Sequence, residues 1–129
     1  MSVRQGERSQ QHFEYLNQAK TLTLYTIQIC SNEKIFPKSQ RWVLSQRIIN
    51  ETLDILSNVR KADSIPKEES KENRDFIKYH LVEARAHLNV LLGLMDIAYI
   101  RYHIDSNRIE YWTGLCVDLL DSINTRVNL

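Results

Sequence analysis

The chain has 129 residues, of which 26% are charged and 43% hydrophobic, and its formal net charge is +1. This length suits one domain around one core, and we expect residues 1–129 to form it, with flexible ends at 1–9 and 126–129. With three glycines and two prolines, the chain lacks the turn residues of an all-β sandwich or barrel, so long helices are expected. No apolar run is long enough to span a bilayer or to act as a signal peptide, which predicts a cytoplasmic protein without a membrane partner.

The first predicted helix covers residues 10–31, where apolar residues recur at helical spacing. Its expected buried stripe is Phe13, Leu16, Leu24 and Ile27, with Leu22, Tyr25 and Ile29 beside it. Cys30 and Cys116 each lie within an apolar helical pattern. Both are expected to be reduced thiols that behave as small hydrophobic residues.

Pro37 marks the start of the second predicted helix, because a proline in the first helical turn loses no hydrogen bond. The helix is expected to end near residue 62. One face carries Leu44, Ile48, Ile55 and Val59, and Ile49, Leu53 and Leu56 adjoin it. Residues 63–73 are polar and charged, which predicts a loop or an exposed helix start with Ser64 as a candidate N-cap.

The third predicted helix has the clearest periodicity in the chain. Apolar residues alternate at spacings of four and three, which is the pattern of a heptad seam. The seam consists of Ile77, Leu81, Ala84, Leu88, Leu91, Met95, Ala98 and Tyr102. Six further apolar residues lie off the seam: Val90, Leu92, Leu94, Ile97, Tyr99 and Ile100. Apolar residues on nearly all sides predict either an oligomer or protein partner, or cover by a long neighbouring helix.

The fourth predicted helix begins after Asp105 or Ser106, either of which can act as its N-cap. It extends to about residue 127. Its apolar face consists of Ile109, Trp112, Cys116, Leu119 and Ile123. Four amphipathic helices with short connections predict an all-α fold, an up-down-up-down antiparallel four-helix bundle.

Residue patterns for catalysis are missing from the sequence. The three glycines are isolated, so no phosphate-cradling loop is predicted. A di-iron bundle needs Glu-x-x-His on two helices, and the sequence has no such pair. His80, Glu83 and His87 share a face of the third helix but lie off its heptad seam, which favours a polar stripe over a metal site. We therefore expect a protein that is not an enzyme and has no cofactor or metal.

Basic residues concentrate between residues 34 and 61. Against Glu51 and Asp54, this segment carries Lys34, Lys38, Arg41, Arg47, Arg60 and Lys61. Such a stripe can neutralise phosphates, and a ring of identical subunits would multiply its field. The alternative is that Arg47 pairs with Glu51 or Asp54 and the rest is ordinary solvated surface. Trp42, beside Arg41, is either a stacking surface for bases or a core or interface residue.

Residues 32–56 carry a recognisable motif, NEKIFPKSQRWVLSQRIINETLDIL. It resembles the Phe-Pro-Lys-Ser, Arg, aromatic, then Gln-Arg-Ile run of the Avd-like four-helix bundle family. That family comprises the accessory variability determinants (Avd) of diversity-generating retroelements and the related intervening-sequence proteins encoded within bacterial large-subunit ribosomal RNA genes. YTIQICSNEK, LLGLMDIAY and IDSNRIEYWTGL are further similar stretches, so the resemblance covers residues 12–125.

The resemblance implies a non-catalytic partner of a retroelement reverse transcriptase. Family members are similar in forming barrel-like homopentamers of four-helix bundles that bind template RNA or its cDNA duplexes and contact the polymerase during mutagenic retrohoming. By position in the motif, the expected nucleic-acid-binding residues are Lys38, Arg41 and Arg47, with Arg60 and Lys61 as weaker additions. Ser45 stands where the family often has glycine, so assembly is expected to differ if that glycine permits close helix approach. The alternative is a protein-interaction scaffold of the intervening-sequence type, with no reverse transcriptase partner.

Overall fold

A computed structural model describes residues 2–65 and 70–128, with side chains described from Glu14 onward. The four helices are α1 (Ser2–Cys30), α2 (Gln46–Asp63), α3 (Lys71–Tyr102) and α4 (Ser106–Val127). A 3-10 turn (Lys38–Gln40) and a π-helical turn (Arg41–Ser45) precede α2. The described residues contain no strand, which confirms the prediction of an all-α, four-helix fold.

Contacting side chains show that neighbouring helices run antiparallel. Between α2 and α3, residue numbers rise on one helix as they fall on the other, because Glu51 contacts His87 and Asn58 contacts His80. The same order relates α3 to α4 in the pairs Arg85–Asn124 and Met95–Cys116. Helices α1 and α4 also pack together. The four helices therefore enclose one core.

The predicted seam of α3 lies at the centre of that core. Its members from Ile77 to Ala98 are at most 2% exposed, and Tyr102 is half-buried. Burial confirms the predicted residues Leu44, Ile48, Ile55, Val59, Trp112, Cys116, Leu119 and Ile123 of the second and fourth helical patterns. Ile109, the first residue of the predicted α4 face, is half-buried. Leu53, predicted to adjoin the α2 face, is exposed. Cys30 and Cys116 are buried free thiols, as predicted.

The predicted stripe of α1 is wrong for Leu24 and Ile27, which are 70% and 39% exposed. The side chain of Phe13 lies outside the described residues. Thr23 and Thr26 take part in the buried face because their hydroxyls donate to carbonyl oxygens four residues earlier, at 2.8 and 2.7 Å. A hydrophobicity pattern assigns threonine to the exposed face of a helix. The predicted buried stripe was therefore displaced toward Leu24 and Ile27. The buried face is Tyr15, Leu16, Ala19, Leu22, Thr23, Thr26, Ile29 and Cys30.

Side-chain caps mark the starts of α3 and α4. Ser64, the candidate N-cap for the third helix, instead follows α2, where its hydroxyl donates to the Lys61 carbonyl at 2.6 Å. The N-cap of α3 is Ser70, whose hydroxyl accepts from the backbone N–H three residues later at 3.0 Å. Asp105 caps α4 in the same way at 3.1 Å. Helix α3 ends at Tyr102, and its C-cap residue, His103, adopts the left-handed conformation with φ 53° and ψ 47°.

Two helix starts differ from the prediction. Helix α1 begins at Ser2 rather than at residue 10. Residues 2–9 carry no apolar period, so the sequence pattern does not indicate this part of the helix. Helix α2 begins at Gln46, because the 3-10 and π turns occupy residues 38–45. Flexibility of residues 1–9 and 126–129 stays a prediction, and residues 66–69 of the predicted loop lie outside the described residues. Among the described helices, none has the length and apolarity needed to cross a bilayer.

Candidate nucleic-acid interface

Two buried apolar residues hold the segment between α1 and α2 to the bundle. Ile35 is 9% exposed and Phe36 is 2% exposed. The Phe36 N–H donates to the Asn32 carbonyl at 2.8 Å, and its ring packs edge-to-face on Tyr102 and Trp112, with centroid distances of 5.2 and 6.1 Å. We call this end of the bundle, where α1 and α3 finish and these three rings meet, the aromatic end. The rings fix the chain directly before the basic residues.

Two changes of helical pitch shape residues 38–45. The Arg41 N–H donates to the Lys38 carbonyl, three residues back, and the Gln46 N–H donates to the Arg41 carbonyl, five residues back. A π turn accommodates one more residue than an α turn, and such turns recur at functional sites. Leu44 and Ser45 face the core at 7% and 4% exposure. The residues just before them are left on the outside.

Trp42 projects from this π turn into solvent. Its side chain is 80% exposed, and that of Val43 is 63% exposed. A tryptophan with this exposure contributes nothing to the core of its own chain, which excludes one of its predicted roles. A stacking surface for bases and an interface with another chain are the two roles that fit an indole held open next to Arg41.

Three of the predicted cations surround this turn in sequence. Lys38, Arg41 and Arg47 are all exposed, and within the described part of the chain none of them forms an ion pair or a side-chain hydrogen bond. The alternative that Arg47 pairs with Glu51 or Asp54 is not observed. Both carboxylates face a histidine of α3 instead. The three cations therefore keep their charge available for an external anion.

Arg60 and Lys61, the weaker predicted additions, lie near the other end of α2. Thirteen residues separate Arg47 from Arg60, which corresponds to roughly 20 Å along the helix. Both are exposed. Burial and then the charge of Lys61 lower the pKa of His80, so Lys61 acts on the α2–α3 contact. The five predicted residues thus form two separate groups, and only Lys38, Arg41 and Arg47 lie at the aromatic end.

Exposed apolar side chains also concentrate at the aromatic end. They lie within two helical turns of it, on α1, α3, α4 and the π turn. These residues are Leu24, Ile27, Trp42, Val43, Ile97, Tyr99, Ile100 and Tyr111, each at least 39% exposed. Sequence reasoning missed this concentration, because apolar residues on different helices meet only after the helices pack. An exposed apolar surface of this kind is typical of a protein interface.

A second apolar stripe runs along the outer face of α3. Val90, Gly93, Ile97 and Ile100 follow one another at spacings of three, four and three, which places them on one side of the helix. The three apolar side chains are 48%, 56% and 69% exposed. No described helix covers them. The residues predicted to be covered either by a neighbouring helix or by a partner are thus open on this chain.

No protein-family model, curated protein sequence or solved structure matches this chain. The properties of the interface are therefore those of its own residues. Exposed cations without internal partners attract phosphate groups, and an exposed indole stacks on flat aromatic rings. The turn that carries Trp42 is anchored on both sides by buried residues, so these groups are presented from a fixed backbone.

Proposed function

We propose that this chain is a non-catalytic nucleic-acid-binding accessory protein, which partners a diversity-generating retroelement reverse transcriptase in mutagenic retrohoming. Its bound ligand is template RNA or a cDNA duplex. The basic residues hold the phosphate backbone without reading base sequence. The protein thereby positions the template and primer for the polymerase, and it contributes no reacting group.

One observation carries the nucleic-acid part of this proposal. Lys38, Arg41 and Arg47 are exposed and lack partners within the described chain. Exposed cations without an internal partner can neutralise phosphates and release their counterions. Trp42, which lies between two of them in the sequence, adds a surface on which an unpaired base can stack.

The proposal includes a homo-oligomer, a pentamer by resemblance to the Avd-like family. Exposed apolar residues at the aromatic end and along α3 support self-association, because concentrated apolar surface on a protein is typical of an interface. Repetition of Lys38, Arg41 and Arg47 around a ring would turn a net charge of +1 per chain into a strong local field. The reverse transcriptase partner is supported by the motif at residues 32–56 alone.

The experiment is a binding titration by fluorescence anisotropy, with a structured RNA and a duplex DNA. We expect both to bind, with affinity falling steeply between about 50 and 200 mM salt. The double variant Arg41→Ala/Arg47→Ala should weaken binding to every sequence alike. For the duplex, it should lower the salt slope by roughly 2 per bound subunit, since each phosphate contact contributes about 0.9.

A matched control is Lys20→Ala/Lys78→Ala, which removes the same charge from exposed positions on α1 and α3. It should leave most of the affinity intact. Equal losses in the two double variants would mean that only net charge matters, and a loss for one RNA alone would contradict backbone recognition. The polymerase part predicts that a reverse transcriptase is encoded beside this gene and that it co-purifies with this chain.

The second candidate function is a protein-interaction scaffold of the ribosomal RNA intervening-sequence type. The concentration of exposed apolar residues at the aromatic end favours it. Under this alternative, Trp42 and its neighbours contact protein, and the cations are ordinary surface. An absence of RNA and DNA binding at low salt, together with a stable protein complex in co-purification, would establish this alternative in place of the first.

A further inference from the structure

Three metal-ligating side chains meet on the outer side of the α2–α3 contact. The His87 Nδ1 atom lies 2.6 Å from Glu51 Oε2 and 4.0 Å from Asp54 Oδ2. One ligand atom from each residue lies within 4.8 Å of the other two. Sequence reasoning considered His87 only with His80 and Glu83 on its own helix. The structure instead brings it together with two carboxylates of the neighbouring helix.

Backbone geometry fixes this arrangement. Glu51 and Asp54 are three residues apart on α2, so both side chains leave the same face of the helix. His87 faces them because α2 and α3 pack antiparallel in a fixed register. Seven residues further along α2, the Asn58–His80 hydrogen bond at 2.9 Å follows the same register. His87 and Glu51 are partly buried, with side chains 30% and 19% exposed. The three ligands therefore come from two helices whose positions are set by the core.

The donor set is that of a divalent transition metal. One imidazole nitrogen with two carboxylate oxygens suits Zn²⁺, which takes such ligands at about 2.0–2.2 Å and commonly keeps water in a fourth position. Ligands around a tetrahedral ion at that distance are roughly 3.4 Å apart. The His87–Glu51 and His87–Asp54 distances of 2.6 and 4.0 Å lie on either side of this value, and all three ligand atoms lie within 4.8 Å of one another.

Among the described residues, no lysine or arginine neutralises the two carboxylates. Within this part of the chain, the only ion-pair partner of Glu51 and Asp54 is His87. The two carboxylates bring two negative charges to a surface on which Glu51 is partly buried and Asp54 is exposed. A divalent cation would compensate this charge.

We infer that Glu51, Asp54 and His87 form a zinc-binding site that clamps α2 to α3. The site does not depend on the proposed function, because it lies on the α2–α3 contact and uses none of the predicted nucleic-acid-binding residues. A bound ion stabilises the packing of α2 against α3, because all three ligands come together only in the folded protein.

The test uses the full chain, free of any tag and stripped with chelator, titrated with Zn²⁺ and with Co²⁺ as a visible probe. We expect one ion per chain, a Co²⁺ absorption spectrum with nitrogen and oxygen ligation, and a rise in Tm of roughly 10 °C at about 100 times Kd. The near-isosteric variants His87→Gln, Glu51→Gln and Asp54→Asn should each weaken binding at least about tenfold.

Matched controls are His80→Gln on the same helix contact and Asp118→Asn on α4, and both should bind Zn²⁺ as the wild type does. Failure of the wild type to bind one ion, or undiminished binding in all three ligand variants, would overturn the site. A measurement on the wild type keeps the test independent of folding in the variants. Zn²⁺ should perturb the imidazole NMR signals of His87 more than those of His80, and the reverse order would also overturn it.

Discussion

The indole Nε1 of Trp112 donates a hydrogen bond to the hydroxyl of Thr26 at 3.0 Å, and both side chains are fully buried. The same hydroxyl donates to the Leu22 carbonyl at 2.7 Å. The Thr26 hydroxyl therefore accepts a hydrogen bond from a buried donor of α4 and donates its own hydrogen to a carbonyl of α1. The bond ties together two helices that are separated by most of the chain.

We predict that Thr26→Val destabilises the fold by about 1–3 kcal/mol, because it leaves the Trp112 N–H buried without an acceptor. Urea unfolding measures this change. Thr23→Val is the matched control, since the Thr23 hydroxyl donates to the carbonyl of Ala19 within its own helix, and no cross-helix bond to it is described. A loss in Thr23→Val as large as in Thr26→Val would show that the Trp112 bond contributes nothing.

His103→Gly should stabilise the protein by roughly 0.5–1 kcal/mol. His103 has φ 53°, a conformation that costs a residue with a Cβ but suits glycine at the end of a helix. Thermal unfolding should rank the variants in the order Gly, Asn, then Val, because asparagine tolerates this conformation and a β-branched residue does not. A glycine variant less stable than wild type would mean that the His103 side chain has contacts of its own.

Stability should fall as the pH rises from about 9 to about 12. Burial raises the pKa of the Cys30 and Cys116 thiols to about 12, and burial together with Asp63 raises the pKa of Tyr15 to about 12. In this range the unfolded chain loses these protons and the folded chain keeps them, so unfolding becomes more favourable. Urea midpoints at pH 8 and 10.5 measure the effect.

The control for this pH dependence is Cys30→Ala/Cys116→Ala, which should show a smaller fall in midpoint than wild type. At pH 8 the two thiols should react with a disulfide reagent only after denaturant is added, because they are buried and protonated. Rapid reaction of both thiols in the native protein would contradict their burial.

Self-association should depend on the outer stripe of α3. Ile97→Glu/Ile100→Glu places two charges where apolar contact is expected, so sedimentation should show a shift toward monomer with helix content unchanged. Leu53→Glu, at an exposed position on α2, is the control and should leave the mass unaltered. A monomeric wild type, or an oligomer insensitive to both substitutions in α3, would remove this part of the proposal.

The sequence was most informative where burial and hydrophobicity coincide. The heptad from Ile77 to Ala98 was predicted residue by residue, because every buried position of α3 carries an apolar side chain. Helix α1 buries Thr23 and Thr26, so its apolar period no longer marks its inner face. Local hydrogen bonding decided this outcome, and a hydrophobicity pattern contains no information about it.

For the candidate sites too, the sequence indicates which residues are neighbours along the chain but not which residues of different helices meet. Lys38 and Arg41, which the motif groups together, lie on consecutive turns before α2, and their role in binding stays a prediction. Arg60 was grouped with them although the length of α2 separates it from Arg47. The contact of His87 with Glu51 was not predicted, because it depends on the register between two helices, which spacing along one helix does not specify.

The two tryptophans of the chain lie in opposite surroundings: Trp112 is 0% exposed and Trp42 is 80% exposed. Their indoles should therefore emit at different wavelengths and respond differently to a quencher dissolved in water. Binding at the π turn changes the emission of one indole, and loosening of the bundle changes that of the other. The unlabelled chain thus carries separate optical reporters for its surface and its core.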